Sequence, residues 1–188
     1  MREMLERVAA GDLAPEQAEV MLAGRGFTDL GFAKVDTQRA ARTGAGEVVY
    51  GAGKTAEQIA KICRALAAAG QPCVLVTRLD AEKAREVERL LAQAGGEEAV
   101  GLGFEYRPIP KLGIYGTIHA PARASYVAVA CAGTSDLYCA EEAAVTAEVL
   151  GSRVVRLYDV GVAGIHRLLA HADDLAGAAA IVAVAGME

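Results

Sequence analysis

Two short segments of this chain carry side chains able to do chemistry together. Gly133-Thr134-Ser135-Asp136 offers two hydroxyls and a carboxylate behind a glycine. Asp159-Val-Gly161-Val-Ala-Gly164-Ile-His166-Arg167 offers a carboxylate, an imidazole and a guanidinium spaced by glycines. Ser135 can donate to a phosphate or carboxylate oxygen; Asp136 can accept from a ribose hydroxyl or move a proton. Arg167 can grip a phosphate through two parallel N–H groups, and His166 can serve as acid, base or donor. Glycines at 133, 161 and 164 let backbone approach a ligand closely. Each segment also has a plainer reading: a tight turn with an N-cap for the first, a solvated helix face for the second. Two polar turns at the same end of neighbouring strands favour a shared site.

The elements that must hold these turns are legible around them. The apolar run Tyr126–Cys131 suits a strand buried on both faces. The stretch from Ala140 to Leu150 reads as a helix, Arg153–Tyr158 as a second strand, and Ala180–Ala185 as a third. Strand alternating with helix predicts an α/β fold with a parallel sheet. In such sheets ligands bind beyond the carboxyl ends of the strands, where free helix N–H groups favour an anion. Glu141 and Glu142 lie early in the first helix, and at least one of them reads as a partner for its dipole.

Upstream, residues Arg2–Ala10 and Pro15–Ala23 read as helices, the second ended by Gly24 and Gly26. Phe32–Asp36 and Glu47–Tyr50 read as short strands flanking the basic stretch Arg39–Gly46. Thr55-Ala-Glu-Gln58 is a capping-box pattern opening a helix to Ala69. Gln71–Thr77 is a buried strand. Asp80 opens a further helix, with Ala84, Val87, Leu90, Leu91 and Ala94 apolar and Gly95-Gly96 as its stop. Gly51-Ala-Gly53-Lys54-Thr55 falls short of a triphosphate loop, because Val48 stands where that loop needs glycine; Lys54 can still face an anion. Gly101–Ala122, rich in proline and glycine, is the expected boundary, with Phe104, Tyr106, Ile114 and Tyr115 in short edge strands. The expected division is thus a small N-terminal α/β domain, 1–122, followed by a partial, flavodoxin-like three-layer sheet, 123–188. Three strands are fewer than the about five of a stable doubly wound sheet, and the last leaves an edge bare. The chain is therefore expected to be a piece of a longer protein, or to borrow sheet from a partner.

Of the 188 residues, 53% are apolar, and the net charge is −5. That balance excludes bulk attraction to nucleic acid or to an anionic membrane. No apolar run approaches the ~18–20 residues of a membrane span. Cys63, Cys73, Cys131 and Cys139 lack metal-site spacing, Asp173-Asp174 reads as a solvated pair, and His119 as structural, so no metal site is expected. Reduced thiols and the acidic N-terminal helix point to the cytoplasm.

Several motifs, in order, resemble the LarB family. They are Phe32-Ala-Lys-Val-Asp-Thr-Gln-Arg39, Gly46-Glu-Val-Val-Tyr-Gly-Ala-Gly-Lys-Thr55, Ala132-Gly-Thr-Ser-Asp136, Glu141-Glu-Ala-Ala-Val-Thr-Ala-Glu148, Tyr158-Asp-Val-Gly-Val-Ala-Gly-Ile-His-Arg167 and Val184-Ala-Gly-Met-Glu188. The C-terminal part is similar to PurE, the aminoimidazole ribonucleotide carboxylase and mutase. The resemblance implies carboxylation of the pyridinium ring of nicotinic acid adenine dinucleotide by CO2, with hydrolysis that releases AMP. This is the first step of nickel-pincer nucleotide biosynthesis. It implies CO2 as co-substrate, no tightly bound cofactor, and a homo-oligomer such as the PurE-like octamer; magnesium could assist the hydrolysis by neutralising the diphosphate, but no compact carboxylate cluster announces it. It implies Asp136 and His166 as catalytic residues, with Gly133, Thr134, Ser135, Asp159, Gly161, Gly164 and Arg167 binding substrate. The family's nucleophilic cysteine lies in a motif that none of the four cysteines here occupies, so the chain alone is expected to be inactive. The alternatives are a purine-pathway carboxylase or mutase and a non-catalytic nucleotide-binding module.

Overall fold

The computed structural model describes residues 2–18, 26–93, 102–121 and 124–186. The chain forms two compact units, Met1–Glu47 and Val48–Glu188. Readings that rested on Gly24, Ala94, Gly95, Gly96, Gly101, Ala122, Met187 and Glu188 lie outside the described residues.

The first unit opens with helix α1, Arg2–Ala9, whose Met4 is buried against Leu13 and Ala18. Residues 15–18 are helical, and the rest of the expected Pro15–Ala23 helix lies outside the described residues. Strands β1 (Thr28–Asp29) and β2 (Lys34–Val35) form an antiparallel hairpin. Its turn is fixed by the Gly31 amide, which donates to Asp29 Oδ1 at 2.8 Å. The basic stretch becomes helix α2, Arg39–Thr43, ended by Gly44 in the left-handed region. Arg42 grips Asp36 with both terminal nitrogens, at 3.2 and 2.5 Å. That fork holds the Asp36 carboxyl below its usual range.

The second unit contains two sheets. The first is mixed, in the order β3-β4-β6-β5, from β3 (Val48–Tyr50), β4 (Cys73–Thr77), β5 (Phe104–Arg107) and β6 (Leu112–Gly116). β3 and β4 are parallel, joined by helix α3, Ala56–Ala68. α3 starts where the capping box predicts: Gln58 N–H donates to Thr55 Oγ1 at 3.2 Å, and Thr55 N–H to Gln58 Oε1 at 3.0 Å. Helix α4, Ala81–Gln93, buries Ala84, Val87 and Leu91 and packs on α3. The apolar surroundings of Cys63 on α3 push its thiol up to about 12. β6 is not an edge strand as expected; it lies between β4 and β5, and Leu112, Ile114 and Tyr115 are at most 2% exposed. Pro108 and Pro110, which suggested an irregular boundary, sit in the β5–β6 turn, and Pro121 in the connection to the next strand, where no ladder N–H is needed.

The second sheet is all parallel, in the order β8-β7-β9, from β7 (Tyr126–Cys131), β8 (Arg153–Leu157) and β9 (Ala180–Val184). Helix α5, Leu137–Val149, links β7 to β8. Helices α6 (Ile165–Leu169) and α7 (Ala172–Ala176) link β8 to β9. Side chains alternate across β7. Val129 and Cys131 pack on Ala140 and Ala144 of α5. Ala128 packs with Leu157, Val160, Leu168 and Leu175 on the other face. Helix, sheet and helix thus make three layers, and the fold is α/β.

α5 has apolar residues on two faces because both sheets pack against it, with its glutamates between them. Beyond Ala140 and Ala144, its Val145 packs on Cys73, Leu75, Leu112 and Ile114 of the first sheet. The boundary expected near residue 122 falls between these two sheets, inside the second unit.

Candidate functional site

Parallel strands send their following loops to one edge. The loop after β7 holds Gly133–Asp136, and the loop after β8 holds Asp159–Gly164. Backbone bonds fasten them together: Val160 N–H donates to the Cys131 carbonyl and Gly161 N–H to the Ala132 carbonyl, both at 3.0 Å. The end of β9 joins them, its Val184 carbonyl accepting from Ala132 N–H at 2.9 Å. The two polar turns therefore stand on the same rim.

Their contact is too close to leave room between them. A Cβ on Gly161 would lie 2.8 Å from the Ala132 carbonyl oxygen, so only glycine fits. The β8-β7-β9 order places the topological switch point on the other side of β7, between β7 and β9. Asp136 faces that side: a Cβ on Gly186 would lie 3.0 Å from Asp136 Oδ1. Gly186 belonged to the Val184–Glu188 motif in the sequence reading but was not named as a site residue, although a glycine just beyond a parallel strand's carboxyl end is the signal that marks it.

Residues 134–136 form a 3-10 turn and α5 begins at Leu137, earlier than the periodicity predicts. Asp136 stands at the N-cap position, yet its side chain caps nothing. It is half-buried and makes no hydrogen bond or ion pair with any described residue. The plainer reading of Asp136 as a helix cap is thereby removed. Thr134 and Ser135 are exposed at the turn. Beneath them Cys131 is fully buried, its thiol donating to the Gly133 carbonyl at 3.1 Å. Burial, and then the carboxylates of Asp136 and Asp159, push this thiol above its ordinary value.

In the second turn Asp159 adopts a left-handed conformation, φ 58°, which its short polar side chain tolerates. Arg167 Nη1 lies 2.5 Å from Asp159 Oδ2, so the guanidinium expected to meet phosphate is tied to a carboxylate. Its side packs over Gly164, where a Cβ would stand 2.7 Å from Nε. His166 is exposed on α6. Glu141 and Glu142 lie beyond the first turn of α5 and serve in ion pairs rather than as dipole partners. Glu141 accepts from Tyr158 Oη at 2.8 Å and from Arg156 Nε at 3.2 Å, while Arg156 also forks onto Glu148. These carboxylates hold the Arg156 guanidinium above its ordinary value; burial, then the bond to Glu141, raises the Tyr158 hydroxyl. The network ties α5 to the end of β8.

Formal charge on the rim is Asp136 and Asp159 against Arg167, with one carboxylate in excess. Charge alone does not draw an anion here. Peptide N–H groups and the Thr134 and Ser135 hydroxyls suit a phosphate, while Asp136, without a partner among the described residues, suits a cationic ring. Among the described residues no group of three or more His, Cys, Asp or Glu side chains is placed to hold a metal. Among them, too, no helix is long and apolar enough to cross a membrane.

Residues 27–111 match the LarB/PurE-like N-terminal domain family. Over 192 residues the chain is 30% identical to an uncharacterised protein of Methanocaldococcus jannaschii, an alignment that covers 100% of this chain and 73% of that protein. The hairpin, α2, the β3–α3 turn and the β5–β6 turn all lie within the matched domain, and the chain belongs to the LarB family, a PurE-like, carboxylase-related group.

Proposed function

We propose that the β7/β9 switch point binds the pyridinium nucleotide half of nicotinic acid adenine dinucleotide, for carboxylation of its ring by CO2 and release of AMP. The observation that carries this reading is the Asp136 carboxylate: half-buried, without a partner among the described residues, and next to a strand-end glycine where an α/β sheet takes its ligand. A pyridinium is cationic and its ribose phosphate anionic. That pair of charges matches a free carboxylate beside exposed hydroxyls and peptide N–H groups.

The chemistry assigns work to these groups. A cysteine thiolate, which none of the four cysteines of this chain supplies and which the full assembly must bring, adds to the electron-poor ring, and the enamine carbon so formed attacks CO2, making the new C–C bond. Asp136 takes the proton from that carbon as the thiolate leaves, which restores aromaticity. Water then cleaves the phosphoanhydride to give AMP. Ser135 and Thr134 hold the phosphate, and the Asp159–Arg167 pair and His166 flank the nucleotide. Neither thiol nearest the rim is suited to the addition: Cys131 is buried and bonded, and Cys139 stands on α5 beyond the loop. The assembly is proposed to be a homo-oligomer.

Calorimetry with nicotinic acid mononucleotide tests the reading. Saturable binding is expected, weakened about tenfold or more in Ser135→Ala, since a hydrogen bond to a charged group is worth about 1.5–3 kcal/mol. Aminoimidazole ribonucleotide is expected not to compete. Absence of mononucleotide binding, or preference for the imidazole nucleotide, overturns the assignment.

A further inference from the structure

The carboxyl ends of β3 and β4 carry a second set of groups that the reaction at Asp136 leaves unused. Tyr50 ends β3 and is 58% exposed. Lys54, four residues on, donates from Nζ to the Tyr50 carbonyl at 2.8 Å, its ammonium 6.0 Å from the Tyr50 ring centre. Arg78, just beyond β4, lies with its guanidinium carbon 5.3 Å from the centre of the Tyr138 ring. Its Nη1 bonds the Tyr138 hydroxyl and sits 3.1 Å from Glu142 Oε2. The two loops are one structure: Gly51 N–H, directly after Tyr50, donates to the carbonyl of Thr77, directly before Arg78, at 2.7 Å.

Three features of this ledge point to a ligand. Two aromatic rings are exposed beside two cations on one rim, and solvated tyrosines gain nothing for the core there. Lys54 and Arg78 exceed Glu142 by one positive charge. Nζ of Lys54 spends one of its three protons on the turn, and Nη1 alone makes the Arg78 bonds, so donors remain on both. The ledge is also continuous with the first site. Tyr138 and Glu142 are four apart on one stripe of α5, and Tyr138 stands in the first turn of α5, directly after the 3-10 turn that carries Thr134 and Ser135.

We infer that Tyr50, Lys54, Arg78 and Tyr138 form a second subsite that takes a purine nucleoside monophosphate, its base on the tyrosine rings and its phosphate on Lys54 and Arg78. This rests on the proposed function only in naming the occupant: the adenylate half of the dinucleotide, carried past the first turn of α5 from the ring half at Asp136. The same contacts would retain AMP after cleavage, so AMP is expected to compete with the dinucleotide.

The test uses two probes, AMP and nicotinic acid mononucleotide, titrated separately into the whole chain. Wild type is expected to bind AMP saturably. Arg78→Met, Tyr138→Leu and Lys54→Gln should each weaken AMP by about tenfold, the scale of a lost cation–π or phosphate contact. The same variants should leave the mononucleotide within about twofold, a difference under 0.5 kcal/mol. Lys54→Gln covers a folding failure of the other two, because Lys54 bonds only its own turn. AMP binding that is absent in wild type, or unchanged in Lys54→Gln and in whichever other variants fold, overturns the subsite. If AMP follows the expected pattern while the mononucleotide does not bind at all, the subsite stands and the proposed function falls.

Discussion

Replacing Gly161 by valine is expected to destabilise the protein by about 1–3 kcal/mol and to abolish uptake of nicotinic acid mononucleotide. The cause is space, not backbone conformation, because Gly161 has an ordinary φ of −59°. Its missing Cβ would meet the Ala132 oxygen at 2.8 Å and the Ala132 carbon at 3.4 Å. Those atoms cannot retreat, since Ala132 is itself fastened to β9 through its N–H. The β8 loop must swing away, taking Asp159 and Arg167 with it and breaking the Gly161 N–H bond that holds Ala132, the residue leading into the Gly133–Asp136 turn. Gly164→Ala is the control. Its Cβ would meet only the guanidinium end of Arg167, which can move, so the cost should stay within about 0.5 kcal/mol. Urea unfolding and calorimetry on the two variants read this directly. Equal behaviour would show that the strand ends are not as tightly joined as described.

Val145→Asp is expected to cost about 3–5 kcal/mol, the price of an unpaired buried charge, and to loosen both sheets of the second unit together. Val145 is 2% exposed among Cys73, Leu75, Leu112 and Ile114. The new carboxyl would have its folded-state pKa raised by burial. The loss should therefore be smallest in acid, where the group is neutral in both states, and grow as pH rises above its unfolded value of about 4. Hydrogen exchange at Leu75 in the first sheet and Val129 in the second should quicken together. Loosening of the first sheet alone would mean that α5 does not couple them.

What the sequence revealed, and what it hid, follows from how local each signal is. The capping box at Thr55 and Gln58, the buried runs Cys73–Thr77 and Tyr126–Cys131, and the three-strand parallel pattern depend on neighbours in the chain, and they are found as expected. β6 was misplaced at an edge because its pairing with β4 spans a long connection, and nothing in Leu-Gly-Ile-Tyr-Gly says which strand lies on its far side. β2 falls inside the expected Phe32–Asp36 strand, but β1, and with it the hairpin, was missed because a two-residue strand shows no alternation. Within the candidate site, the residue types at Ser135 and Asp136 were legible. That Arg167 pairs with Asp159, and that Gly186 rather than the β8 loop borders the crevice beside Asp136, depends on contacts distant in sequence. The Arg78–Tyr138 pairing spans 60 residues and left no local trace.

The claim on which the account turns is that a pyridinium nucleotide sits at the β7/β9 switch point. A titration of nicotinic acid mononucleotide into isotopically labelled protein, followed amide by amide in a nitrogen–proton correlation spectrum, tests it most directly. Saturable shifts at Gly133, Ser135, Asp136 and Gly186, with Tyr50 and Arg78 unmoved, are the predicted result. Shifts confined to other parts of the chain, with those four amides silent, would contradict it.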